Sequence, residues 1–118
     1  MRAAPPLLAL VALAGVGACG VRQPAGPPAS RAEWNAIVGF EDTLRRLDED
    51  LPRTLDQSGR PDCDRACFLA RNICLLAERI CTIAKDYPGD REARARCRDA
   101  EERCFRARDR VSERCRCM

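Results

Sequence analysis

Nine cysteines occur in 118 residues, and eight of them fall between Cys63 and Cys117 at regular intervals. Cys67, Cys74 and Cys81 recur every seven residues, and Cys97 and Cys104 repeat that step. Residues seven apart share one face of an α-helix. Between the two sets stands Asp86-Tyr87-Pro88-Gly89-Asp90, whose Pro-Gly pair signals a turn. Reflection about Gly89 carries Cys81 onto Cys97, Cys74 onto Cys104 and Cys63 onto Cys115. Two helices folded back at that point bring sulfur level with sulfur. The spacing predicts an all-α fold built on a disulfide-stapled antiparallel helical hairpin.

Cys74–Cys104 and Cys81–Cys97 follow directly from the reflection. The other four cysteines allow two schemes. Cys63–Cys117 with Cys67–Cys115 keeps the ladder nested, with axial offsets of about 3 and 6 Å. Cys63–Cys115 with Cys67–Cys117 aligns the first pair and leaves the second about 9 Å out of step. The offsets lean to the nested scheme, but a frayed C-terminus accommodates either, so the pairing of these four stays open. Alanine supports the close approach that a disulfide demands: Ala70, Ala77 and Ala84 flank the cysteines of the first arm, and Ala93, Ala100 and Ala107 those of the second.

The hairpin needs help from outside itself. Its second arm is charged almost everywhere off the seam, with Glu92/Arg96, Asp99/Arg103 and Glu102/Arg106 as acid-before-base pairs four residues apart. Its first arm carries a further apolar flank, Leu69, Ile73, Leu76, Ile80 and Ile83, while Phe68 and Leu75 fall outside both faces. A partner for that flank lies upstream. Ser30 with Glu33 reads as a capping box, and Ile37, Phe40, Leu44, Leu47 and Leu51 follow at helical spacing, with Trp34 and Val38 widening the stripe. We expect this helix to pack on the hairpin as the third member of a small bundle and to end or kink near Asp50, ahead of Pro52, with room for one further turn from Thr54 to Gln57. Asp62 and Asp90 are the expected N-caps of the two hairpin arms, and Ser58-Gly59-Arg60-Pro61 the break before the first.

The N-terminus has a different character. Arg2 and the apolar run Leu7 to Ala14 have the form of an export signal, and the run is too short to span a bilayer. Val16-Gly17-Ala18-Cys19 then resembles the lipobox of bacterial lipoproteins. That resemblance covers only the first 20 or so residues. It implies removal of residues 1–18 and acylation of Cys19, which becomes the mature N-terminus. Gly20 follows where an aspartate often retains such proteins at the inner membrane, so the resemblance implies an outer-membrane address in a cell that has one. Residues 19–29, rich in Pro and Gly, read as a tether, and residues 30–118 as the cysteine-rich helical domain.

With Cys19 set aside, an even number of cysteines remains in an exported chain, the pattern of a disulfide framework. Few large apolar residues are available (one Trp, one Tyr, three Phe), so the core is thin and cross-links are the expected remedy. The chain contains no histidine, which removes Ser-His-Asp and Cys-His catalysis. Cys-x-x-Cys is absent. Cys115-Arg116-Cys117 is the nearest thing to a redox pair, and it sits at the wrong end of a helix for thiolate stabilisation. Asp48-Glu49-Asp50 lacks calcium-loop spacing and reads as a solvated helix end. Cysteine-lined bundles can hold Cu(I), but the only methionine after the signal is Met118.

The formal charge is +3, or +2 once Arg2 leaves with the signal, and gives no mandate for nucleic acid. Between Arg91 and Arg116 ten arginines stand against six acids, a field suited to an anionic polymer or lipid headgroups. The expected protein is a non-enzymatic envelope lipoprotein that binds a protein or anionic polymer, with no cofactor and no metal. The competing expectation is a thiol-based, copper-type or redox protein of the same compartment.

Overall fold

A computed structural model describes residues 2–4 and 26–118. Most of the signal, Cys19 and most of the tether lie outside the described residues. Three helices follow one another: α1 (Arg31–Asp56), α2 (Cys63–Asp86) and α3 (Arg91–Ser112), with a short 3-10 turn at Gln57–Gly59. No strand occurs among the described residues.

Each helix begins on an acceptor side chain that satisfies an otherwise orphaned backbone N–H. Ser30 accepts from the N–H of Glu33, Asp62 from that of Arg65 and Asp90 from that of Ala93. The capping box at Ser30 is only half formed. The Glu33 carboxylate accepts from the Tyr87 hydroxyl, which draws the first turn of α1 to the α2–α3 connection. The backbone N–H of Ala29 donates to Asp90 at 3.0 Å in the same place. The start of α1 and the bend of the hairpin are therefore tied together.

α1 does not stop at Pro52. It runs on to Asp56, because Leu51, Thr54 and Leu55 are buried and packing outweighs the lost backbone hydrogen bond. Thr54 donates its hydroxyl to the Asp50 carbonyl at 3.1 Å, helping to hold the turn around the proline. The chain breaks within the expected Ser58-Gly59-Arg60-Pro61 segment, at Ser58 and Gly59, where φ values of 51° and 74° put both in the left-handed region.

Ile37, Leu44, Leu51 and Leu55 of α1 share one buried cluster with Leu69, Ile73 and Ile80 of α2. Trp34, Phe40 and Leu47 pack against it, half-buried. Val38 does not join them and is exposed, so the stripe is narrower than expected. α3 contributes only Ala93, Ala100, Ala107 and Val111 to the cluster. Arg96 pairs with Glu41 and Arg103 with Asp48, both across a sequence separation of 55. A constant offset of this kind means α1 and α3 run in the same direction, with α2 opposed to both.

Candidate functional site

The cystine ladder runs the length of the α2–α3 seam. Cys81–Cys97 and Cys74–Cys104 have Cα atoms 4.6 Å apart. Such short separations need small neighbours, and Ala70, Ala77, Ala84, Ala93, Ala100 and Ala107 are all buried beside the seam. Alanine here has a definite physical task. Any larger side chain in these columns would wedge the backbones apart and pull the sulfurs out of bonding range.

The lower end of the ladder departs from the nested scheme. Cys63 pairs with Cys115 and Cys67 with Cys117, with Cα separations of 5.4 and 5.5 Å. The reason lies in the end of α3. Helical hydrogen bonding persists to Cys115, whose N–H reaches the Val111 carbonyl at 2.8 Å, so Cys115 arrives level with Cys63. Beyond it the chain leaves the helical path and turns back along α2. Cys117 then lines a cleft with Cys67, Val111 and Ser112, and the Met118 carbonyl accepts from Arg71, one turn past Cys67. The 9 Å mismatch applies only to a tail that stays helical.

Cys115 and Cys117 are thus bonded to separate partners on α2 rather than to each other. Sulfurs of Cys81 and Cys97 lie with a Glu101 carboxylate oxygen in a group of three within 4.8 Å of one another. With both sulfurs engaged in one disulfide, neither is a thiolate, and thiolate is the form that binds soft metals. Only reduction would turn this group into a donor set.

The acids of α1 are used structurally. Asp48 holds Arg103 at 2.9 Å and Asp50 holds Arg65 at 2.7 Å, so two members of the Asp48-Glu49-Asp50 run serve interhelical pairs rather than a solvated end. Arg96 lies between Glu41 at 2.6 Å and Glu92 at 3.2 Å, and stacks 5.4 Å from the Trp34 ring centroid. Hydrogen bonding to Glu92 and the nearby Glu41 charge together raise its pKa. Arg103 is raised likewise, first by Asp99 and then by Asp48. The intrahelical pairs Glu92/Arg96, Asp99/Arg103 and Glu102/Arg106 all form. Below them Arg114 donates to the Leu55 carbonyl and pairs with Asp56 at 3.0 Å.

At the bend, Asp90 accepts backbone N–H bonds from Ala93 and Ala29, which hold its carboxyl below the usual 3.8. Tyr87 is pushed above 10.0, chiefly by its bond to Glu33. Interhelical acid–base matches of this kind carried a sequence signal: Glu41 and Asp48 are seven apart, as are Arg96 and Arg103.

Comparison with known proteins found no family model, no curated protein and no solved structure that matches this chain. Among the described residues, no helix is long and apolar enough to cross a membrane.

Proposed function

We propose that the chain is a lipid-anchored envelope protein, acylated at Cys19, whose helical domain is a rigid non-enzymatic binding module. The domain would comprise α1 packed as a third helix on the stapled hairpin, with residues 19–29 holding it at the membrane surface. The observation that carries this reading is the ladder itself. Four disulfides engage every cysteine of residues 30–118, and disulfides persist in exported proteins rather than in reducing compartments. The lipobox-like Val16-Gly17-Ala18-Cys19 supports the same compartment.

Mass spectrometry of the protein isolated from membranes tests both halves at once. The reading expects an N-terminal acylated Cys19 and a mass eight hydrogens below that of the fully reduced chain. An unmodified N-terminus would remove the anchor. The thiol reading is favoured by one observation, the Glu101 carboxylate beside Cys81 and Cys97. It requires two or more free thiols in protein purified without reductant.

A further inference from the structure

The cysteines divide the hairpin into two unlike sides. The residues one position before them face α1: Ala66, Ile73 and Ile80 are buried, while Arg96 and Arg103 pair with α1 acids. In an antiparallel pair, the residues one position after fall together on the opposite side of both helices. There stand Phe68, Leu75 and Thr82 of α2 with Arg98 and Phe105 of α3. Phe68 is 57% exposed, Leu75 47% and Phe105 72%, and these are the exposed large hydrophobics of α2 and α3.

The arginines divide the same way. Arg96, Arg103 and Arg114 on the α1 side all hold carboxylates of α1. Arg71, Arg98, Arg108 and Arg116, on the side away from α1, enter no ion pair among the described residues. Arg71 and Arg108 line one cleft with the Cys67–Cys117 disulfide, and Phe68 and Arg116 continue it. Helical position adds Lys85, Arg91 and Arg94 to this face, and Asp64, Glu78 and Glu101 as its acids, so seven bases stand against three acids.

We propose that this face lies on an anionic bilayer surface. Phe68, Leu75 and Phe105 enter the boundary between headgroups and acyl chains, and the guanidiniums that hold no carboxylate meet lipid phosphates. Arginine suits this arrangement, because its stem lies along apolar surface while its head stays at the phosphate level. A bilayer fits better than a protein. The three apolar side chains are spread along two helices, with Phe68 and Leu75 about 10 Å apart on α2. Lipid deforms around separated anchors of this kind. A stable protein partner would need roughly 800 Å² of complementary surface on each side. The inference rests on the face and not on the acyl anchor.

The test places a reporter on each side. Trp34, the only tryptophan, belongs to α1. A Trp34→Phe, Phe105→Trp variant moves the indole to the proposed face. The mature chain purified from membranes is reconstituted into vesicles with brominated acyl chains, either of phosphatidylcholine or enriched in phosphatidylglycerol. The expected result is strong quenching and a blue shift on the anionic vesicles only, reversed by high salt, with the native Trp34 unquenched. Arg71→Gln and Arg108→Gln should each lower the docked-to-free ratio roughly fivefold, and Arg103→Gln should leave it unchanged. Vesicle attachment without quenching would overturn the face while leaving the anchor intact. Quenching of an unacylated chain would uphold the face without the anchor. Equal losses for Arg103→Gln and Arg108→Gln, or an emission shift with a co-purified acidic protein but not with vesicles, would also overturn it.

Discussion

α1 and α3 are held against the same central helix by opposite means. α1 brings large apolar side chains, Ile37, Leu44, Leu51 and Leu55, and no covalent link. α3, like the short tail that follows it, is sewn to α2 by disulfides and offers the core little beyond three alanines and Val111. Burying a leucine or isoleucine is worth about 1.5–3 kcal/mol, whereas a methyl-sized side chain contributes a fraction of that. A helix with so narrow an apolar seam would dissociate if it depended on area. Covalent closure lets α3 keep a solvated, arginine-rich surface that a packing-held helix would have to surrender.

Reduction of all four disulfides breaks the comparison most severely. α3 should lose its amide protection in hydrogen exchange before α1 does, with a large fall in melting temperature. Equal loss in both helices would mean that α3 has packing of its own. Leu44→Ala strikes the other mode and should cost about 2–5 kcal/mol in chemical denaturation, with the disulfides intact by mass. Replacing Cys81 and Cys97 together by alanine opens a 15-residue segment, worth about 3 kcal/mol in loop-closure entropy. A cost below that of a surface arginine change would remove the staple from the account.

Smaller effects sharpen the picture at the bend. Asp90→Ala removes the cap of α3 and the partner of Ala29, at about 1 kcal/mol. The folded carboxyl titrates below 3.8, so its contribution is present above that pH and fades as pH falls through the folded value. The wild-type loss on acidification should therefore shrink in the variant, as read by melting at pH steps. Arg103→Gln breaks the pair with Asp48 and should cost only about 0.2–1 kcal/mol, decreasing further with salt.

The body of the ladder could be read from the chain because a mirror in sequence becomes a register in space when two helices fold back at Gly89. The lower rungs could not, since spacing leaves two pairings open and only the path of the tail decides between them: α3 ends at Ser112 and the tail doubles back. Pro52 misleads for a related reason: local preference favours a stop, and the burial of Leu51 and Leu55 outweighs it. Val38 looked like part of the stripe because a helical wheel shows which side a residue takes but not how wide its partner is. Phe68 and Leu75 fitted neither expected face because they belong to a side that nothing among the described residues covers. The Arg96–Glu41 and Arg103–Asp48 pairs needed the parallel course of α1 and α3, which no single helix reveals.

The reflection about Gly89 also limits how such a molecule can change in length. One residue inserted between Cys67 and Cys74 would rotate every rung on one side of it by about 100° and strand its sulfurs. A matching insertion between Cys104 and Cys115 would restore the level but not the facing. Growth is confined to whole heptads added to both arms at once, so the ladder lengthens like a zip fastener, a tooth on each tape or none.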